Sequence, residues 1–189
     1  MSNKSKNIFV GLAVVLVMLI GKAMIVQAMD NGVVVSADEL FCKTEEYIKI
    51  CTTKDLKPFM GKAVERYEDG QIKSEATYVN GKRESVRKEY HKNGQLKREE
   101  IYKDGKRNGG WKRYYENGKL KESGLYKDGK RNGVWMLYDE NETLKEKGVY
   151  KDGKRSGVWR VYENGMLKKE SMYVEGREIV LSEDEKEEK

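Results

Sequence analysis

From Gly61 onward, short segments bearing Tyr, Trp, Val and Leu alternate with polar clusters, and nearly every cluster holds an Asn-Gly or Asp-Gly pair. Asn and Asp tolerate positive φ and Gly accepts it freely, so these pairs predict tight hairpin turns. The segments between them have strand length. Gly pairs this frequent argue against helix.

The alternation is periodic. Set out in rows of 24, the chain reads 61–84, 85–108, 109–132, 133–156 and 157–181. Gly81, Gly105, Gly129 and Gly153 align, as do Trp111, Trp135 and Trp159, and Tyr78, Tyr102, Tyr126 and Tyr150. Row four has Glu142 where the others place a turn glycine, and row five lacks one residue before Asn164-Gly165. Fixed-period self-similarity is the mark of a repeat architecture. The expected fold is all-β: an antiparallel meander of five 24-residue hairpins, about ten strands, in one elongated twisted sheet.

Treating Asn117-Gly118 as a two-residue loop places Glu116 opposite Lys119, Tyr115 opposite Leu120, Arg113 opposite Glu122 and Trp111 opposite Gly124. The same count pairs Trp135 with Gly148, Arg87 with Glu100 and Ala63 with Ala76. A ring facing no side chain, a base facing an acid and two small residues facing each other are compatible cross-strand neighbours. The series Trp111, Trp135, Trp159, bridged by Tyr78, Tyr102, Tyr126 and Tyr150, is expected to form a structural ladder on one face, with rungs two strands or about 10 Å apart. An aromatic strip for stacking on sugars or bases is the competing reading.

Ahead of the array lie two different segments. Lys4 and Lys6 precede the apolar run Ile8–Ile20, and small residues end at Ala28. This is the layout of a secretory signal over 1–28. A thirteen-residue helix spans about 20 Å, short of a ~30 Å hydrocarbon core. Cleavage after Ala23 and retention as an inner-membrane anchor are the other readings. The chain is therefore expected to be exported. Residues 29–60 are expected to cap the array, as helix or strand, burying Phe41, Tyr47, Ile48 and Phe59. Export lets Cys42 and Cys51 pair as a disulfide, against a reading as two buried thiols. Residues 182–189, "SEDEKEEK", read as a solvated tail.

Charge changes the picture little. The 189 residues carry a net +6, and the array 61–181 holds 29 bases and 21 acids. Mixed signs argue against nucleic acid, which calls for an unmixed basic face. The recurring turn pairs Lys106-Arg107, Lys130-Arg131 and Lys154-Arg155 form one row, suited either to anionic lipid headgroups and envelope polymers or to plain solvation.

Catalytic and ligand-holding chemistry is not in view. Two Cys and one His cannot complete a four-ligand zinc site. His91 occupies a turn with no partner placed by sequence and reads as a surface residue. "GKRNG" lacks the spacing of a phosphate loop. No cofactor, metal or small-molecule substrate is expected.

The rows, for example "YYENGKLKESGLYKDGKRNGVW", resemble the variant MORN repeat of bacterial proteins, over residues 61–177. Such arrays are often labelled YwqK-family antitoxins. The resemblance implies a scaffold that binds a protein partner, such as a toxin it neutralises, or a membrane-contact module.

Overall fold

The computed structural model describes residues 34–45, 48–54 and 57–179. Residues 1–28, expected to be a secretory signal, residues 182–189, expected to be a solvated tail, Tyr47 and the Ile48 side chain fall outside the described residues. Among the described residues fourteen strands form one open sheet. They are β1 (Val34–Ser36), β2 (Phe41–Glu45), β3 (Ile48–Thr52), β4 (Gly61–Arg66), β5 (Ile72–Val79), β6 (Lys82–Tyr90), β7 (Leu96–Lys103), β8 (Lys106–Tyr114), β9 (Leu120–Lys127), β10 (Lys130–Tyr138), β11 (Leu144–Lys151), β12 (Lys154–Glu163), β13 (Met166–Val174) and β14 (Arg177–Ile179). Among the described residues a single 3₁₀ turn, Ala37–Glu39, is the one helical element.

From β4 to β14 every strand pairs antiparallel with the next, so the ten strands β4–β13 form the expected meander of five hairpins. β1 lies parallel to β4, and the β2–β3 hairpin touches the array where Ile50 faces Lys82.

The five central pairings expected from the sequence are all present: Arg113 with Glu122, Trp111 with Gly124, Trp135 with Gly148, Arg87 with Glu100, and Ala63 with Ala76. The loop ends differ from expectation. Tyr114, not Tyr115, faces Leu120. Asn117-Gly118 is not a two-residue loop: Gly118 N–H donates to Tyr115 O and Tyr115 N–H to Lys119 O, which leaves a bulge beside the turn. The other turn series is the tight one. Asn80, Asp104, Asp128 and Asp152 have φ near 50°, each followed by a glycine with positive φ, as a two-residue hairpin turn of that hand requires.

A second irregularity recurs between hairpins. Tyr102 faces Arg107 and Glu100 faces Trp111, so Ile101 alone is spanned by Asn108, Gly109 and Gly110. The same slip recurs at Gly133 and Gly157, both with positive φ, and at Ser85, a non-glycine residue held at φ 65°. Bulges sharpen local twist. Here they bring successive tight turns into contact, and each turn glycine donates its N–H to the arginine carbonyl of the hairpin before it: Gly105 to Arg83, Gly129 to Arg107, Gly153 to Arg131 and Gly176 to Arg155, at 2.8–3.0 Å. The turns therefore lie closer than the roughly 10 Å that a flat sheet imposes on alternate strands.

The front of the array is closed by the same contact. Gly81 N–H donates to Phe59 O at 2.7 Å, so Phe59 takes the place the arginines hold later. Phe59 is 2% exposed and packs on Tyr78 at 5.8 Å. The expectation that Phe41 is buried is corrected: it is 61% exposed on the outer strand of the cap hairpin. A disulfide joins Cys42 and Cys51, which face each other across β2 and β3. The hairpin docks through Cys51, whose N–H donates to Gly81 O.

Candidate functional site

The sheet sorts its side chains onto two unlike faces. Trp111, Trp135 and Trp159 lie on one of them, each almost fully buried. Trp111 and Trp135 stand 5.2 Å apart, half the spacing of a flat sheet, because the bulges roll each hairpin onto the last. Tyr150 separates Trp135 from Trp159, edge-on to both at 5.8 and 5.0 Å, and Tyr173 follows at 6.2 Å. Tyr126 stands edge-on to Trp135 at 5.4 Å. The glycines opposite the Trp column serve the following repeat. A methyl group at Gly124 would overlap the Trp135 ring, and one at Gly148 the Trp159 ring. Each bulge frees a carbonyl, which the indole N–H then meets: Trp135 donates to Leu125 O and Trp159 to Val149 O, at 3.2 and 3.1 Å. Rings enclosed in this way are core, with no free face for a sugar or base.

The Trp ladder starts at row three; row one has Ala63 at the Trp position, and row two departs differently. Arg87 stands at the Trp position and Glu100 at the Gly position. Glu100 is 1% exposed and accepts hydrogen bonds from Arg107 Nε (2.9 Å), Arg87 Nη1 (3.1 Å), Trp111 Nε1 (3.1 Å) and Tyr102 OH (3.2 Å). Burial alone would raise its carboxyl pKa, but the Arg107 and Arg87 charges outweigh that and hold it below the ordinary range. Glu89, beside it, is likewise penalised by burial, yet the hydrogen bond from Lys97 and the charges of Arg98 and Arg87 hold its pKa at about 2. The guanidinium groups of Arg83 and Arg107 cover the Tyr102 ring at 5.3 and 6.0 Å. Counting from the turn pairs Arg87 with Glu100 alone. The convergence on a single carboxylate follows from the curl and has no linear signal beyond the departure of Arg87 and Glu100 from their columns.

The turn pairs divide. Arg107, Arg131 and Arg155 face the ladder: Arg131 lies 4.1 Å over Trp135 and pairs with Glu122, and Arg155 lies 4.1 Å over Trp159 and pairs with Glu146. Each guanidinium thus already has an internal carboxylate, while remaining about one-third exposed. Lys106, Lys130 and Lys154 point to the other face and are exposed. Each faces another lysine across its turn: Lys103 with Lys106, Lys127 with Lys130, Lys151 with Lys154.

On that same outer face, next to the lysines, runs a row of aliphatic side chains. Val86 pairs with Ile101, Val134 with Val149 and Val158 with Met172, and Leu125 stands opposite Gly110. Val86, Ile101, Leu125, Val134, Val149 and Met172 are 37–50% exposed. Beyond them lies a row in which signs alternate, Glu75, Lys88, Glu99 and Lys112 facing in turn.

His91 is not a free surface group. Its ring is half-enclosed at the wide-turn edge and Nε2 donates to Tyr114 O at 3.1 Å. Tyr67 and Tyr115 bridge hairpins in the same manner, to Tyr90 O and Tyr138 O. Among the described residues no three His, Cys, Asp or Glu side chains are grouped to hold a metal ion.

The profile of the family described as "MORN repeat variant" matches residues 61–80, 83–104, 107–128 and 131–152. Four tandem MORN repeat variants lie in this chain. From the second onward, each matched MORN unit runs from one tight turn to the next. The fifth hairpin, β12–β13, lacks the residue that widens the loop in the others. No curated protein matches the chain. Among solved structures, the GtfA/B complex bound to UDP and GlcNAc aligns at 14% identity and a TM-score of 0.27, over 60% of this chain and 24% of that one. Accessory secretory protein 1, 2 and 3 of Streptococcus pneumoniae aligns at 14% identity and a TM-score of 0.19, over 66% and 19%. The chain thus spans about a quarter or less of either. The MORN array, a β-structure of tandem hairpins, is consistent with a non-catalytic repeat scaffold.

Proposed function

We propose that the chain is an exported, non-catalytic scaffold whose MORN array binds a protein partner, and that the partner is a toxin it neutralises. The observation that supports this reading is the asymmetry of the sheet. One face spends its Trp, Tyr and Arg side chains on packing, and the other repeats an exposed aliphatic row across successive hairpins. Monomeric proteins seldom leave a long apolar row uncovered unless something docks there. Affinity isolation of the full chain from an envelope extract is expected to recover one protein in stoichiometric amount, and co-expression with that protein is expected to relieve its toxicity. Recovery of no stoichiometric partner would remove the reading.

A second reading rests on the paired turn lysines: contact with anionic lipid headgroups or envelope polyanions. It requires salt-sensitive binding to phosphatidylglycerol vesicles.

A further inference from the structure

The aliphatic row and the turn lysines sit on one face, and each makes sense only with the other. Three features bear on what covers them. First, the lysines stand in direct cross-strand pairs. Like charges opposite each other destabilise a sheet, yet the arrangement recurs in three successive hairpins, Lys103–Lys106, Lys127–Lys130 and Lys151–Lys154. Arginine neighbours at the same turns are neutralised by Glu100, Glu122 and Glu146 on the inner face. On the outer face the turn aspartates Asp104, Asp128 and Asp152, with Glu175, which meets Lys154 at 3.2 Å, offset four of the six lysine charges and leave the rail net cationic. Second, the turns are hydrogen-bonded to one another, so the pairs form a closely spaced rail. Third, on β7, β9 and β11 the exposed aliphatic residue lies two positions before the first rail lysine: Ile101, Leu125 and Val149 before Lys103, Lys127 and Lys151. A rung of the strip is therefore one apolar contact and a pair of positive charges about 7 Å away on the same face.

We infer that this strip is the docking site for an acidic polypeptide segment that also carries aliphatic side chains. This rests on the scaffold reading above and assigns it a face and a partner chemistry. A phosphate polymer would use the lysines and leave the aliphatic row wet. Nucleic acid would call for exposed aromatic rings or arginines to stack on bases, and on this sheet the Trp rings and the turn arginines Arg107, Arg131 and Arg155 face the other way. An alternating acidic and aliphatic segment satisfies both halves of each rung.

The test places a photo-crosslinking amino acid at Leu125, in the strip, or at Glu116, exposed at the opposite edge, in the full chain within the cells that make it. The Leu125 position is expected to trap a protein, and mass spectrometry of the joined peptide is expected to read Asp or Glu interleaved with Val, Ile or Leu. The double variant Lys127→Glu, Lys151→Glu is expected to cut that adduct about tenfold. Its melting transition serves as the folding control, since both lysines are exposed. A protein trapped at Glu116 alone overturns the strip while leaving the scaffold reading in place. Protein adducts at neither position overturn both. Phosphatidylglycerol vesicles bound by the wild-type chain and released by the double variant, without a protein adduct at Leu125, transfer the strip to a lipid surface and overturn the inference.

Discussion

Gly124 lies directly beneath the indole of Trp135, one hairpin further along the chain. The fit leaves no room for a side chain, and the backbone there needs no unusual dihedral, so the demand is purely steric. Gly124→Ala is expected to cost about 2–3 kcal/mol, the range for overpacking a close-fitted site. Gly110→Ala, whose added methyl would meet Ile101 Cδ1 at an ordinary 3.7 Å, is expected to be near neutral. Urea denaturation of the two variants checks the contrast; equal costs would dissociate the glycine from the ring.

Two residues hold backbone conformations that other rows give to glycine. Ser85 has φ 65° at the inter-hairpin bulge and Glu142 has φ 67° at the wide turn of row four. Left-handed backbone costs an L-residue roughly 1 kcal/mol. Ser85→Gly and Glu142→Gly are each expected to raise stability by about that amount. Gly157→Ser, at φ 65° with open space around its Cβ position, should lower it equally. Thermal melts of the three variants give the signs directly.

Glu100 anchors the charged cluster that stands in row two in place of the Trp and Gly of later rows. Removing it leaves Arg107 without its carboxylate, Arg87 with Glu89 alone and the Trp111 N–H without its acceptor, so Glu100→Ala is expected to cost about 3–5 kcal/mol. Replacing the whole cluster differs from breaking it. A Trp at position 87 would lie over position 76 as Trp135 lies over Gly124. The triple variant Ala76→Gly, Arg87→Trp, Glu100→Gly should therefore extend the ladder and recover most of the loss. A structure of the triple variant is expected to show Trp111 Nε1 redirected to Ile101 O, the equivalent of the Trp135 bond to Leu125 O.

The acid limb of stability follows from Glu89. Its folded pKa of about 2 lies below the ordinary value of 4.5, so its contribution is complete above about pH 4.5 and is lost as pH falls toward 2. The loss is on the order of 3 kcal/mol at most. Glu100, shifted in the same direction, adds to it. Chemical denaturation between pH 6 and pH 2.5 checks the slope, and Glu89→Gln should flatten it.

Much of the fold was legible because side-chain size and turn chemistry both repeat at 24 residues. Trp111 facing Gly124 and Arg113 facing Glu122 could be counted from the loop alone. What could not be counted was the curl. The Gly that begins each "Gly-x-Trp" was visible, but its role in spanning Ile101 with three residues depends on pairing between hairpins, which no single hairpin encodes. Without that curl, the Trp rings fall about 10 Å apart rather than 5.2 Å, and Arg107 reads as free alongside Lys106. The two turn residues are adjacent in sequence and similar in charge. Only strand parity sends one to Glu100 and the other to solvent. The outer aliphatic row was hidden for the same reason, since Ile101 and Tyr102 read alike as strand residues until the sheet assigns them opposite sides.

The joint between hairpins, Gly105 N–H to Arg83 O and its copies, is made entirely by main-chain atoms. Rows three and four share the side-chain half of the joint as well, each offering a glycine to the Trp ring of the row that follows, so one of these copies can follow another. Unequal crossing-over within the gene can therefore insert or delete whole 24-residue units and yield a foldable product at once, so the length of the platform is open to selection without any new interface having to be invented.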